Sequence, residues 1–84
     1  MSDKDKLLKR LMSKPKDFKY SELKRLLSHF GFIESTKGKT SGSRVAFVNS
    51  HKDIIRLHKP HPKPILKEYQ IQEIVDYLSE KGMI

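Results

Sequence analysis

Two histidines stand three residues apart in the run His58-Lys59-Pro60-His61-Pro62, and a positively charged stretch surrounds them. Between Lys37 and Lys67 the chain carries eight Lys or Arg against a single acidic residue, Asp53, together with three of its four histidines. Imidazole can both take and give a proton near neutral pH, and guanidinium and ammonium groups match phosphate oxygens. Together they suit a phosphodiester, with cations to hold it and a proton carrier to break it. The candidate proton carriers are His58 and His61, with His51 a weaker one. The candidate RNA-phosphate contacts are Lys37, Lys39, Arg44, Lys52, Arg56, Lys59 and Lys63. The plainer reading makes the histidines surface residues of a proline-rich loop, touching phosphate or a partner without doing chemistry, and the lysines a solvated basic face. His-x-x-His spacing also raises the question of a metal. With no Cys and only Asp53 and Glu68 nearby, the ligand set falls short, so neither metal nor cofactor is expected.

The formal charge of +8 is concentrated. Residues 1–19 contribute +4, residues 20–36 cancel, residues 37–67 contribute +7 and residues 68–84 contribute −3. A basic middle and an acidic end give the molecule two electrostatic faces, the basic one suited to a polyanion such as RNA. Eighty-four residues allow one domain with a narrow margin of stability. The absence of Cys removes disulfides and fits a reducing cytoplasm. The longest apolar run, Val45-Ala46-Phe47-Val48, is far short of the roughly 18 residues that span a bilayer. No signal-like apolar core opens the chain, so a soluble cytoplasmic protein without membrane contact is expected.

Elements must position these groups. Leu7, Leu8, Leu11 and Met12 form one helical stripe, predicting a first helix from Asp3 that Pro15 ends. Leu23, Leu26, Leu27 and Phe30 predict a second, with Ser21 capping its first turn and Gly31 as its stop. Short β-forming runs follow at 32–36, 43–49 and 54–58, joined by a polar connection and by an Asn49–Asp53 turn. Prolines at 60, 62 and 64 predict a stiff surface loop. Ile71, Ile74, Val75 and Leu78 predict a last helix from Tyr69 to Lys81, with Gly82 as its stop. His29 and the tyrosines Tyr20, Tyr69 and Tyr77 read as structural, the tyrosines packed with wet hydroxyls. If the helices cover one face of an antiparallel meander, with Val45 and Phe47 inward, Arg44 and Arg56 point outward from the other.

Order and residues together resemble a known family. Ser21-Glu22-Leu23 with Leu26-Leu27, Phe30-Gly31-Phe32, Lys37-Gly38-Lys39, Gly42-Ser43, Phe47, His58-Lys59-Pro60-His61 and the closing Gly82-Met83-Ile84 look like the HicA family of small toxins from bacterial toxin-antitoxin pairs. The resemblance covers residues 20–84. Residues 1–19 read as an added helical extension, either packed or reaching for RNA as a basic arm. The resemblance implies an α+β fold similar to a double-stranded-RNA-binding domain, with a three-stranded antiparallel sheet and the order α-α-β-β-β-α. It also implies metal-independent endoribonuclease activity on messenger RNA and inhibition by a HicB-like antitoxin.

The family places a histidine directly after a Gly-Ser pair, and here Gly42-Ser43 is followed by Arg44. Arginine stays protonated and cannot shuttle the proton, although it can hold a charged phosphate. The resemblance then leaves the chemistry to His58 or His61. The alternative is a non-catalytic RNA-binding module on the same fold.

Overall fold

A computed structural model of the chain describes residues 2–35, 44–60 and 63–84. Within them the order is α1 (Asp3–Met12), α2 (Tyr20–His29), β1 (Ile33–Ser35), β2 (Arg44–Val48), β3 (Ile54–His58) and α3 (Glu68–Glu80). The strands form one antiparallel sheet in the order β1-β2-β3. This is the α+β succession expected from the sequence. Lys37, Lys39, Gly42-Ser43 and His61 lie outside the described residues.

Each helix follows from its apolar spacing and its ends. α1 buries Leu7 and Leu11, one turn apart, and the Ser2 hydroxyl caps it by accepting from the Asp5 amide at 3.2 Å. α2 buries Tyr20, Leu23, Leu26 and Leu27. α2 and α3 end in the same way. Gly31, at φ +87°, lets the Phe32 amide reach the Leu27 carbonyl at 2.9 Å, and Gly82, at φ +73°, lets Met83 reach Leu78 at 2.9 Å. The turn at Gly31 drives Phe32 into the core immediately before β1.

One expectation about α2 is corrected. Its N-cap is Lys19, and Ser21 is an exposed first-turn residue. The Lys19 amide donates to the Glu22 carboxylate at 3.1 Å, and the Tyr20 amide donates to the Pro64 carbonyl at 2.9 Å. The helix therefore starts two residues before the cap expected at Ser21, and the Glu22 carboxylate and the Pro64 carbonyl satisfy the donors at its new start.

The register divides the sheet into two faces. Glu34, Phe47 and Ile55 form one cross-strand row, flanked by the Val45–Leu57 pair, and Phe47 and Ile55 lie in the core beneath the helices. The residues of opposite parity, with Arg44 and Arg56 among them, lie on the uncovered face, as the alternation of strand side chains predicts.

Residues 2–18 are built into the same core. Leu7, Leu11 and Phe18 pack with Leu23, Leu26, Phe32, Phe47, Ile71 and Leu78, and Leu11 and Phe18 are fully inaccessible. Beyond α1 the chain pairs with a distant segment. The Leu66 amide donates to the Phe18 carbonyl at 2.8 Å, and Lys19 bridges Ile65 in antiparallel fashion. This short ladder anchors the far end of the proline loop.

Candidate nucleic-acid interface

The uncovered face of the sheet is organised in three cross-strand rows. At one end Arg44 lies opposite His58; the middle row is Ser35–Ala46–Arg56; the last is Ile33–Val48–Ile54. Directly opposed side chains in such a pair have Cβ atoms only about 5 Å apart, so the Arg44 guanidinium and the His58 imidazole share one patch. Ser35 and Ala46 are small, and the floor they leave between Arg44, Arg56 and His58 is a shallow concavity of about 410 Å³. All three of those side chains are exposed.

His58 is fixed through its backbone. Gln70, in the first turn of α3, donates from Nε2 to the His58 carbonyl at 2.9 Å, and its Oε1 accepts from the Lys67 amide at 3.0 Å. Gln70 is the buried polar residue of the core among the described residues, and this pairing satisfies both ends of its amide. The clamp holds the end of β3 while leaving the imidazole in solvent.

Lys59, the next residue, is held from the other side of the sheet. Its Nζ lies 5.4 Å from the centre of the Tyr20 ring, a cation–π placement. Tyr20 is 7% exposed, its ring tilts against Phe47 at 6.1 Å, and its hydroxyl donates to the Glu34 carboxylate. Lys24 reaches the same carboxylate at 3.5 Å. Burial first, and then the bond to Glu34, raise the Tyr20 phenol well above its ordinary pKa. The bond from Tyr20, followed by the charges of Lys24 and Lys59, holds Glu34 below its ordinary 4.5. The Tyr20 hydroxyl is thus not the wet group expected from sequence.

Tyr20→Phe keeps the ring under Lys59 and removes the donor to Glu34. We expect it to destabilise the fold by about 1–2 kcal/mol, measured by chemical denaturation at neutral pH. The folded phenol holds its proton more tightly than the unfolded one. Its contribution therefore stands below about pH 10 and is lost as pH rises further, and Tyr20→Phe removes that alkaline loss. Folded Glu34 is the stronger acid, so its contribution stands above about pH 4.5 and is lost as pH falls.

Of the other sequence candidates, Lys63 is exposed beside the loop. Lys52 and His51 are exposed in the turn at the opposite end of β3, where Asn49 Oδ1 accepts from the His51 and Asp53 amides at 3.0 and 2.8 Å. The span of β3, roughly 14 Å, separates that turn from His58. The structure therefore gathers Arg44, Arg56, His58, Lys59 and Lys63 at one end and leaves Lys52 apart.

Sequence reasoning passed over four residues here. Lys16 and Lys67 lie with His58, Lys59 and Lys63 around one groove, Tyr69 lines it with 56% of its surface exposed, and Gln70 sets the backbone. Tyr69 is thus not the packed residue expected. Of these, Lys67 already closes the basic run from Lys37 and Gln70 sits at a capping-box position, whereas Lys16 and Tyr69 carried no such signal.

Such a patch can bind a phosphodiester through guanidinium and ammonium groups, with one imidazole placed to carry a proton. Among the described residues no three His, Cys, Asp or Glu side chains cluster as metal ligands, and no helix is long and apolar enough to cross a membrane. A family model described as HicA toxin of bacterial toxin-antitoxin matches residues 20–80, well over half of the chain. No curated protein and no solved structure matches it.

Proposed function

The chain belongs to the HicA toxin family, and on that premise we propose that it binds messenger RNA in the cytoplasm on the uncovered sheet face and cleaves it without a metal. The single observation that carries this reading is the pairing of Arg44 with His58 across β2 and β3, beside Arg56, over the Ser35–Ala46 floor.

In the proposed reaction the ribose 2′-oxygen attacks the adjacent phosphorus while its proton passes to a base. The phosphorus–5′-oxygen bond breaks and the leaving oxygen takes a proton, giving a 2′,3′-cyclic phosphate and a 5′-hydroxyl. His58 serves one of these proton transfers, with His61 the candidate for the other. Arg44 and Arg56 hold the non-bridging oxygens, whose charge grows in the transition state. Lys59 and Lys63 hold flanking phosphates. Lys37 and Lys39 are proposed as further RNA contacts, and Lys52 as a distal one.

Membership of a toxin-antitoxin family implies an antitoxin partner. We assign its docking site to the same face, with the exposed Ile33–Val48–Ile54 row as the apolar anchor beside the cations. Ile33 is 67% exposed and Ile54 38%, and an apolar row next to a charged one suits a protein partner better than RNA. The partner expected is HicB-like.

A second reading, a non-catalytic RNA-binding module, is favoured by Arg44 standing where the family's histidine would follow Gly42-Ser43. One set of assays separates the two. The purified protein is incubated with messenger RNA in the presence of a chelator, and binding is measured at two salt concentrations. The toxin reading expects cleavage that survives chelation and is blocked by antitoxin. The module reading expects salt-sensitive binding with intact RNA. Arg44→Glu with Arg56→Glu is expected to weaken RNA binding at least tenfold, through loss of phosphate contacts. Ile33→Asp with Ile54→Asp is expected to weaken antitoxin binding while sparing RNA. RNA binding that ignores the arginine changes would refute the sheet-face assignment.

A further inference from the structure

We propose that bound RNA continues past His58 into a second cationic groove, and that its far wall comes from the segment preceding the family-matched region. There it takes single-stranded RNA with Tyr69 as the stacking platform. This rests on the reading of the chain as an RNA-binding toxin and adds a site to it.

The groove, about 820 Å³ among the described residues, is lined by Lys16, His58, Lys59, Lys63, Lys67 and Tyr69, with no carboxylate on its walls. His58 is common to this groove and to the sheet concavity, so a strand held on the sheet is delivered directly into it. Lys16 belongs to the link between α1 and α2, outside the match over 20–80. The ladder joining Phe18 and Lys19 to Ile65 and Leu66 brings that link against the loop.

The groove lysines are not engaged by carboxylates among the described residues. Arg10, Lys24, Arg25, His29 and Lys81 each have a carboxylate within 4.0 Å. Among the described residues the groove's Lys16, Lys59, Lys63 and Lys67 have none, as is also true of Lys4, Lys6, Lys9, Lys14, Lys19, Arg44, Lys52 and Arg56 elsewhere, so no ion pair competes with an anion for the groove lysines. Four such charges on concave walls raise the local concentration of an anionic chain.

The aromatic residue selects the class of ligand. Tyr20 is buried and Tyr77 half-buried, whereas Tyr69 leaves more than half its surface open beside the lysines. An exposed ring among cations suits unpaired bases, which can stack on it, and gives nothing comparable to a duplex, whose bases are already stacked. An acidic protein surface would satisfy the lysines but not the ring.

The test uses the full chain and measures affinity for fluorescent single-stranded RNA and for duplex RNA of equal length at fixed salt. Lys16→Glu with Lys67→Glu, both at exposed positions, is expected to weaken single-strand binding tenfold or more. Tyr69→Ala is expected to weaken it at least fivefold while leaving duplex binding unchanged. Circular dichroism and melting confirm that both variants fold. If both bind single strands as the wild type does while the Arg44/Arg56 variant fails, the groove proposal is overturned and the sheet-face reading stands. If Tyr69→Ala weakens single-strand and duplex binding equally, or the lysine variant loses only antitoxin, the assignment to unpaired bases is overturned. If the wild-type chain binds no RNA, the underlying reading falls as well.

Discussion

His58→Gln is expected to reduce RNA cleavage by roughly 10²- to 10⁴-fold while changing RNA affinity only a few-fold, the loss typical when a positioned acid or base is removed. The side chain is exposed and the residue's structural bond is made by its carbonyl, which the substitution leaves in place. Stability should therefore be unaltered, and a fall in cleavage reports chemistry rather than folding. Arg44→Ala should differ by weakening binding and turnover together, because a guanidinium held against phosphate acts in both the ground and transition states. Single-turnover cleavage and separate binding titrations distinguish the two. Unchanged turnover in His58→Gln would move the proton transfer to His61 or to another group. A wild-type protein that binds RNA and leaves it intact would favour the module reading.

The second large effect is on the fold. Leu11→Ala is expected to destabilise the protein by about 2–5 kcal/mol. Removing residues 2–19 should leave residues 20–84 without cooperative unfolding. A chain of this length has only about 4–13 kcal/mol in total, taking stability per residue at its usual value. The deletion would strip Leu7, Leu11 and Phe18 from one shared core, along with the hydrogen bond from Leu66 to Phe18. Arg10→Ala is the control. Arg10 joins Glu22 through two bonds at 2.9 and 3.3 Å in a half-buried pair and Asp17 at 3.3 Å in an exposed one, and its loss is expected to cost about 1 kcal/mol, well below the Leu11 change. Denaturant titration followed by far-ultraviolet circular dichroism checks all three. A truncated chain that unfolds at the wild-type midpoint would show the extension to be dispensable.

Local patterns carried most of the architecture into the sequence. The stripes of Leu7 and Leu11, Leu23 to Phe30 and Ile71 to Leu78 mark helices because each needs one apolar face. Gly31 and Gly82 mark stops because both take positive φ. The outward direction of Arg44 and Arg56 was legible because strand parity is fixed once Phe47 points inward. The features hidden from the sequence depend on partners far along the chain. α2 begins at Tyr20 because Pro64 accepts its amide. Gln70 is buried because His58 and Lys67 meet its amide, and Lys16 joins the site because Lys19 pairs with Ile65. None of these follows from composition or period, since each is a contact made only after folding.

The grip of Gln70 on His58 also sets an order of assembly. Synthesis runs from the N-terminus, so the imidazole, both arginines and the loop lysines leave the ribosome before the helix that locks them. Until then α1 and α2 also lack Ile71, Ile74 and Leu78 to close against. Under the proposed activity, cleavage is expected only once the thirteen residues of α3 have docked.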